Sequence, residues 1–208
     1  DDVSRKIRKV QTLEGLGAEV LVASADVANL EQMQAVISRA SERFGEINGV
    51  IHAAGVGGGG VIQQQTPETV TAIFAPKVKG TLVLDALFKG VQLDFLVLCS
   101  SLLSIHAYPG RVEYCAANLF LDAFAHRNHS RNGTFTVSIN WDNWREVGMG
   151  VNYLQRQGKL EEELEAGQLK DGLWSKEGVE AFRRILSHAL PQVAVSTSGI
   201  QFSQMGWK

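Results

Sequence analysis

The chain has 208 residues, of which 45% are hydrophobic and 20% charged, with a formal net charge of -2. That length and apolar content suit one globular α/β domain with a sizeable core. A near-neutral balance without a long Lys/Arg cluster argues against a nucleic-acid partner, and no apolar run approaches the roughly 18 residues that span a bilayer. The start, Asp1-Asp2-Val3-Ser4-Arg5-Lys6, lacks a signal-peptide apolar region. Two cysteines in a chain this long make no disulfide framework. Cys99 and Cys115 therefore read as reduced and packed, in a soluble cytoplasmic protein.

In chain order, Val3 to Leu16 is helix-permissive, and Gly17 stands where such a helix stops. Val20-Leu21-Val22-Ala23 is too brief for a helix and rich in strand formers, so a strand is expected there. Asn29 is placed to cap a helix whose apolar residues Leu30, Met33, Ile37, Ala40 and Phe44 form one stripe. Gly49-Val50-Ile51-His52 reads as the next strand and leads into a glycine-rich loop. Pro67 opens a long helix reaching about Phe88. Phe95-Leu96-Val97-Leu98-Cys99 is a continuous apolar strand, of the kind buried on both faces of a parallel sheet. A helix from Glu113 to about Arg131 and a strand over Phe135-Thr136-Val137-Ser138-Ile139 follow. A last helix runs from Ser175 or Lys176 to Leu190, before a strand at Val193-Ala194-Val195. Strands alternating with helices predict a doubly wound, Rossmann-like α/β fold with a parallel sheet.

Residues 147–172 lack a strong apolar period and carry the acidic run Glu161-Glu162-Glu163. A solvated helix face is one reading. A mobile lid over a substrate cleft is the favoured one, because the segment follows a strand's carboxyl end.

Gly55-Val56-Gly57-Gly58-Gly59-Gly60 matches G-x-G-x-x-G, the dinucleotide fingerprint, in letters only. That mechanism needs the loop to open straight into a helix whose N-terminus holds the pyrophosphate. Here Val61-Ile62-Gln63-Gln64-Gln65-Thr66 intervenes. The acidic residue expected about 20 positions on falls near Asp85, inside a helix. Gly57 to Gly60 therefore reads as a flexible loop beside the site. The chain opens in a helix, where a doubly wound cofactor domain opens on a strand and glycine turn. One or two βα units are accordingly expected before Asp1, or in a segment not included.

The residues that carry chemistry sit elsewhere. Tyr114 and Asn118 are four apart on one helix face. Ser101 lies beyond the apolar strand 95–99, where α/β folds place their ligands, and Lys77 sits on the preceding helix. In this strand–helix context the set resembles the short-chain dehydrogenase/reductase family. Most of that family carry the lysine four residues after the tyrosine and an asparagine on the earlier helix. Here they are exchanged, in Tyr114-Cys115-Ala116-Ala117-Asn118 and Pro76-Lys77-Val78-Lys79-Gly80. The exchange is similar to ketoreductase domains of modular polyketide synthases and animal-type fatty acid synthases. His52-Ala53-Ala54-Gly55, Ser100-Ser101, Leu121-Asp122-Ala123, Asn140-Trp141-Asp142-Asn143-Trp144 and Gly148-Met149 resemble the same domains, as does Asp26-Val27, the pair that meets the adenine ring. The likeness covers nearly the whole chain, ending where such domains hand over to a carrier-protein linker.

The resemblance implies hydride transfer from NADPH to a β-ketone on a thioester of an acyl carrier protein's phosphopantetheine, among neighbouring synthase domains. Tyr114 would protonate the developing alkoxide. A free tyrosine titrates near pH 10, so a nearby positive charge helps, and Lys77 would supply it while bonding the nicotinamide ribose. Ser101 would hold the carbonyl oxygen. Asn118 would position Lys77 or a water in a proton relay. Asp26, Val27, Ala53, Ala54, Gly55 and Trp141 complete the expected cofactor contacts, small side chains allowing close backbone approach.

The pattern departs from the family in places. The Leu-Asp-Asp marker of one product class falls on Gly57, Gly58 and Gly59. The other class's tryptophan, eight residues before the tyrosine, is His106, and Arg111 replaces the glutamine or histidine three before it. The missing acidic marker leans towards the second class; product configuration stays open. Asp142 replaces the glycine of Asn-Trp-Gly.

Blander readings stand beside these. Asp122, His126 and His129 share a helix face, but with no fourth ligand no metal is expected. His52 reads as a satisfied structural histidine. Trp141 and Trp144 are either core aromatics or cleft contacts. No G-x-S-x-G elbow surrounds Ser101, which excludes a serine hydrolase. A non-reducing structural domain and a free-standing dehydrogenase are the alternatives. The intact set of four and the Lys77/Asn118 exchange speak against them.

Overall fold

A computed structural model of the chain describes residues 2–129, 134–167 and 169–198. At its centre the described residues form a four-stranded parallel sheet in sequence order. The strands are β1 (Gly49–His52), β2 (Phe95–Ser101), β3 (Phe135–Trp141) and β4 (Gln192–Val195). His52 pairs with Leu98 and Leu98 with Ser138, while Ser101 pairs with Trp141 and Trp141 with Val195. The register thus brings the carboxyl ends of all the strands to one edge, where such sheets bind ligands.

Helices cover both faces, as a doubly wound sheet requires. Leu96 and Leu98 of β2 pack on Leu121, Phe124 and Ala125 of α6 (Val112–His129). The alternate residue Val97, with Val137 and Ile139, packs on Phe182 and Ile185 of α9 (Ser175–Leu186). Strand side chains alternate between faces, so one unbroken apolar run feeds two cores. The expected end of the α6 helix near Arg131 lies outside the described residues.

The outer helices follow their local signals. α1 spans Asp2–Gly15, and Gly17 beyond it adopts φ +90°. α2 spans Leu30–Phe44; its cap Asn29 accepts a 3.0 Å hydrogen bond from the Gln32 amide. The strand expected at Val20–Ala23 is absent: the segment joins no ladder, and Val22 is 68% exposed. Apolar composition favours an extended run, but only a neighbouring strand makes it a β-strand.

The single helix expected from Pro67 to Phe88 is three joined pieces. α3 (Pro67–Phe74) opens on a Thr66/Thr69 capping box, a π turn follows at Ala75–Lys79, and α4 spans Gly80–Leu87. Pro76 has no N–H to continue the α ladder, and the Gly80 amide reaches back to the Ala75 carbonyl. The turn widens where Lys77 sits.

Residues 147–172, which lack a strong apolar period, contain α7 (Met149–Gln157) and α8 (Leu160–Glu165). Between β2 and α6 lies the short α5 (Leu103–His106). α9 ends at Leu186, earlier than expected, with the Ser187 hydroxyl turned back to the Arg184 carbonyl at 2.7 Å and Pro191 shortly beyond.

Candidate active site

The stripe Tyr114, Asn118, Asp122 runs along α6 at one residue per turn. It starts at the carboxyl edge of the sheet, beside the last residue of β2, Ser101. Burial pushes the Tyr114 phenol above its ordinary pKa of 10.0, opposed by side-chain hydrogen bonds with Asn118 and Ser101 and by the Arg111 charge. Asn118 and Ser101 are two of the residues expected to act with Tyr114.

Asn118 is fully buried. Its Nδ2 donates to the Tyr114 carbonyl at 2.8 Å, whereas its Oδ1 has no partner among the described residues. A buried acceptor of this kind calls for a donor from water or a ligand.

Lys77 sits in the π turn, 3% exposed. Its Nζ donates to the Cys99 carbonyl at 2.8 Å, leaving two of an ammonium's three donors for a ligand. Burial lowers its pKa from 10.5 to about 8, with Cys99 and Asp122 acting in the opposite direction. The Gly55 loop lies directly on this side chain. A Cβ at Gly55 would stand 3.1 Å from Lys77 Cε and 3.8 Å from Met149 Cε of α7. Ala53 is exposed and Ala54 half-buried at the same strand end. The turn after β2 folds around Ser101: its Oγ accepts from the Leu103 amide at 3.3 Å, and Ser104 Oγ lies 2.8 Å from its carbonyl.

His52 is a satisfied structural residue. Its Nε2–H donates to the Pro76 carbonyl at 3.1 Å. Burial first, then the Lys77 charge, lowers its pKa to about 4, against the Pro76 bond.

The remaining expected cofactor contacts are placed less directly. Asp26 is exposed on the turn before α2, where its Oδ1 accepts from the Ala28 amide at 2.9 Å. Val27 packs on Gly80, whose hypothetical Cβ would lie 2.8 Å from Val27 Cγ1, so it touches the rod that carries Lys77. Trp141 packs with the α9-side core and meets Trp144 edge-on at 5.1 Å. Trp144 in turn lies against Gly178 of α9. These contacts favour the core reading of both tryptophans. The Asp142 carboxylate turns to Thr197, accepting from its amide at 3.1 Å and its hydroxyl at 3.0 Å.

Two acids carry no site role in the sequence-based expectations, although Asp122 stands in the motif Leu121-Asp122-Ala123. Asp122 is buried and accepts from the Ser104 and Ser138 hydroxyls, each at 2.6 Å, and from Asn140 Nδ2 at 2.9 Å. Its four-residue spacing from Asn118 was the available signal. Glu113 is 3% exposed, and neither carboxylate oxygen has a partner among the described residues. It lies under the glycine loop: a Cβ at Gly58 would stand 3.0 Å from Glu113 Oε1. That loop is strapped to the start of α6 by the Gly60 amide on the Gly110 carbonyl at 2.9 Å, and by Arg111 on the Gly58 carbonyl. No spacing rule points to Glu113.

The family model of the KR domain matches residues 2–146. Polyketide synthase PksM of Bacillus subtilis (strain 168) is 35% identical over 187 residues, which is 88% of this chain and 4% of that protein. The 6-methylsalicylic acid synthase of Aspergillus terreus is 32% identical over 193 residues, 92% of this chain and 10% of that protein. The chain therefore spans a small part of the curated relatives it matches. Among solved structures, a ketoreductase domain from the bacillaene assembly line superposes with a TM-score of 0.79 at 31% identity. The match covers 92% of this chain and 46% of that one. With most of its length matched by that family model, the chain belongs to the KR, or ketoreductase, domain family of polyketide synthases.

Proposed function

We propose that the chain forms the reaction centre of an NADPH-dependent reductase, which converts the β-keto group of an acyl thioester on an acyl carrier protein to a β-hydroxyl. One observation carries the reading: Ser101 and Asn118 both act on the Tyr114 phenol, holding its pKa down against burial, while the buried Lys77 is bonded to the Cys99 carbonyl on the strand that ends at Ser101.

The family implies a nicotinamide dinucleotide cofactor, and the residues present fit it. Lys77 has donors to spare for a ribose. The Asn118 Oδ1 acceptor is unmet among the described residues. Gly55 leaves open the space a Cβ would take beside Lys77. When bound, the cofactor supplies the hydride. The 2′-phosphate-bearing form is the one we assign, with Asp26, Val27, Ala53, Ala54, Gly55 and Lys77 along its path and Trp141 behind it.

The chain's own residues handle orientation and the proton. Ser101 Oγ holds the ketone oxygen, a bond that strengthens as charge develops there. Tyr114, kept protonated by its raised pKa, passes its phenolic proton to that oxygen. The phenolate left behind is favoured by Asn118 and Ser101 and by the Arg111 charge. Asn118 positions the donor that returns a proton to Tyr114. Residues 147–172 act as the substrate lid: Met149 at the start of α7 already reaches the Gly55–Lys77 contact. Arg145 ties the segment down by bonding the Lys170 carbonyl at 2.5 Å and stacking on Trp174 at 4.4 Å. The free thiols Cys99 and Cys115 accord with a cytoplasmic setting, and no helix among the described residues is long and apolar enough to cross a membrane.

The test is direct. The full-length protein carrying this chain is incubated with a β-ketoacyl N-acetylcysteamine thioester and NADPH or NADH. NADPH loss matched by β-hydroxyl product supports the reading. Intact NADPH and unreduced ketone overturn it.

A further inference from the structure

The sheet face beneath α6 turns polar at its carboxyl end, with Ser100, Ser138 and Asn140 buried there. Into this patch α6 inserts the Asp122 carboxylate, one turn beyond Asn118 and two beyond Tyr114. An isolated buried carboxylate is costly to desolvate, so its partners reveal what it is kept for.

Ser138 Oγ of β3 donates to Asp122 Oδ1 at 2.6 Å, and the other two partners lead to the turn that bears Ser101. Ser104 Oγ lies 2.6 Å from Asp122 Oδ2 and 2.8 Å from the Ser101 carbonyl. One hydroxyl proton cannot serve both, and the charged oxygen is the stronger acceptor. Asn140 Nδ2, 2.9 Å from the same carboxylate oxygen, also reaches Ser100 Oγ at 3.1 Å and the Ser101 carbonyl at 3.3 Å. Gln192 of β4 holds the other end of that amide, donating to Asn140 Oδ1 at 2.9 Å. Ser100 Oγ closes the ring on the Asn118 carbonyl at 3.3 Å.

We propose that Asp122 is a positioning residue of the reaction centre, its buried carboxylate fixing the Ser100–Ser104 turn so that the Ser101 hydroxyl is aimed at Tyr114. The inference rests on the reductase reading of Ser101 and Tyr114. A second effect follows from charge. The titratable groups facing Lys77 are His52 on β1, Cys99 on β2 and Asp122 on α6. The His52 charge is disfavoured near pH 7, and of the groups that favour protonated Lys77, Cys99 acts first and Asp122 second.

Asp122→Asn keeps the size of the side chain but removes the charge and turns an amide N–H₂ towards groups that themselves donate. In the full-length reductase, kcat for a β-ketoacyl thioester should fall about 100-fold with KM little changed, since misaimed groups lose transition-state contacts. The alkaline midpoint of the pH–rate profile should also move down by roughly one pH unit. A purely structural anchor would lower the melting temperature and leave that midpoint in place; a folded Asp122→Asn with wild-type kcat and midpoint overturns the proposal. Should Asp122→Asn not fold, Ser104→Ala removes one link of the chain alone. A lowered kcat at unchanged KM supports the proposal there, and an unchanged kcat overturns it. Tyr114→Phe separates the two levels. If Tyr114→Phe is inactive while the Asp122 and Ser104 variants match wild type, only this inference fails. If Tyr114→Phe is fully active, the reductase reading falls and this inference with it.

Discussion

The Lys77 ammonium donates a 2.8 Å hydrogen bond to the carbonyl of Cys99, two residues before Ser101 on the same strand. A cation on the α3–α4 rod is thus fixed to the strand that presents the hydroxyl. The arrangement costs stability, because the ammonium is 3% exposed.

That cost has a defined pH window. Folded Lys77 loses its proton near pH 8, against 10.5 for the ordinary side chain. Between those values the unfolded chain binds more protons, so the penalty on the fold is full below about pH 8 and fades as pH rises towards 10.5. Lys77→Met should melt at a higher temperature than wild type at pH 7, by an amount that shrinks towards pH 10, while losing turnover by orders of magnitude. Wild-type turnover should itself decline as pH rises through about 8. Thermal melts and rates across that range check both statements.

His52 governs the acid side. Its pKa is lowered from 6.5 to about 4, chiefly by burial. As pH falls from 6.5 to 4 the unfolded chain takes up a proton that the folded one refuses, so stability drops across that interval and levels off below it. His52→Gln keeps a donor for the Pro76 carbonyl and cannot titrate. Denaturant unfolding at pH 7 and pH 4.5 should show a smaller acid loss in His52→Gln than in wild type.

Glu113 should be replaceable at a gain. Leaving a buried acceptor unmet costs about 1–3 kcal/mol, and more for a charged group. Its place in the first turn of α6 returns only about 0.3–1 kcal/mol from the helix dipole. Desolvation wins, so Glu113→Met should stabilise the fold by on the order of 1 kcal/mol, read from urea unfolding.

What the sequence discloses follows from how local each signal is. Asn29 and the apolar stripe behind it define α2 unaided, and the apolar run from Phe95 defines β2. Val20–Ala23 carries the same composition yet forms no strand, since pairing is supplied by a neighbour and not by the segment. Pro76 marks a disturbance inside a helix, but the π turn it produces, which aims Lys77 inward, depends on the packing of α4 and α6. Tyr114, Asn118, Lys77 and Ser101 were legible because fixed spacings and a recognisable exchange carried them. The Asp122–Ser104–Ser138–Asn140 network was not: its members come from α5, α6 and β3 and meet only when the sheet forms. Glu113 was hidden for a similar reason, because its solitude is a property of the glycine loop above it.

We propose Tyr114 as the proton donor of a reductase, and Tyr114→Phe tests it directly. The measurement is turnover of a β-ketoacyl thioester by Tyr114→Phe in the full-length protein, alongside NADPH titration by cofactor fluorescence. A fall in kcat of about 10²- to 10⁴-fold with NADPH affinity unchanged is expected. Near-wild-type turnover by Tyr114→Phe would contradict it.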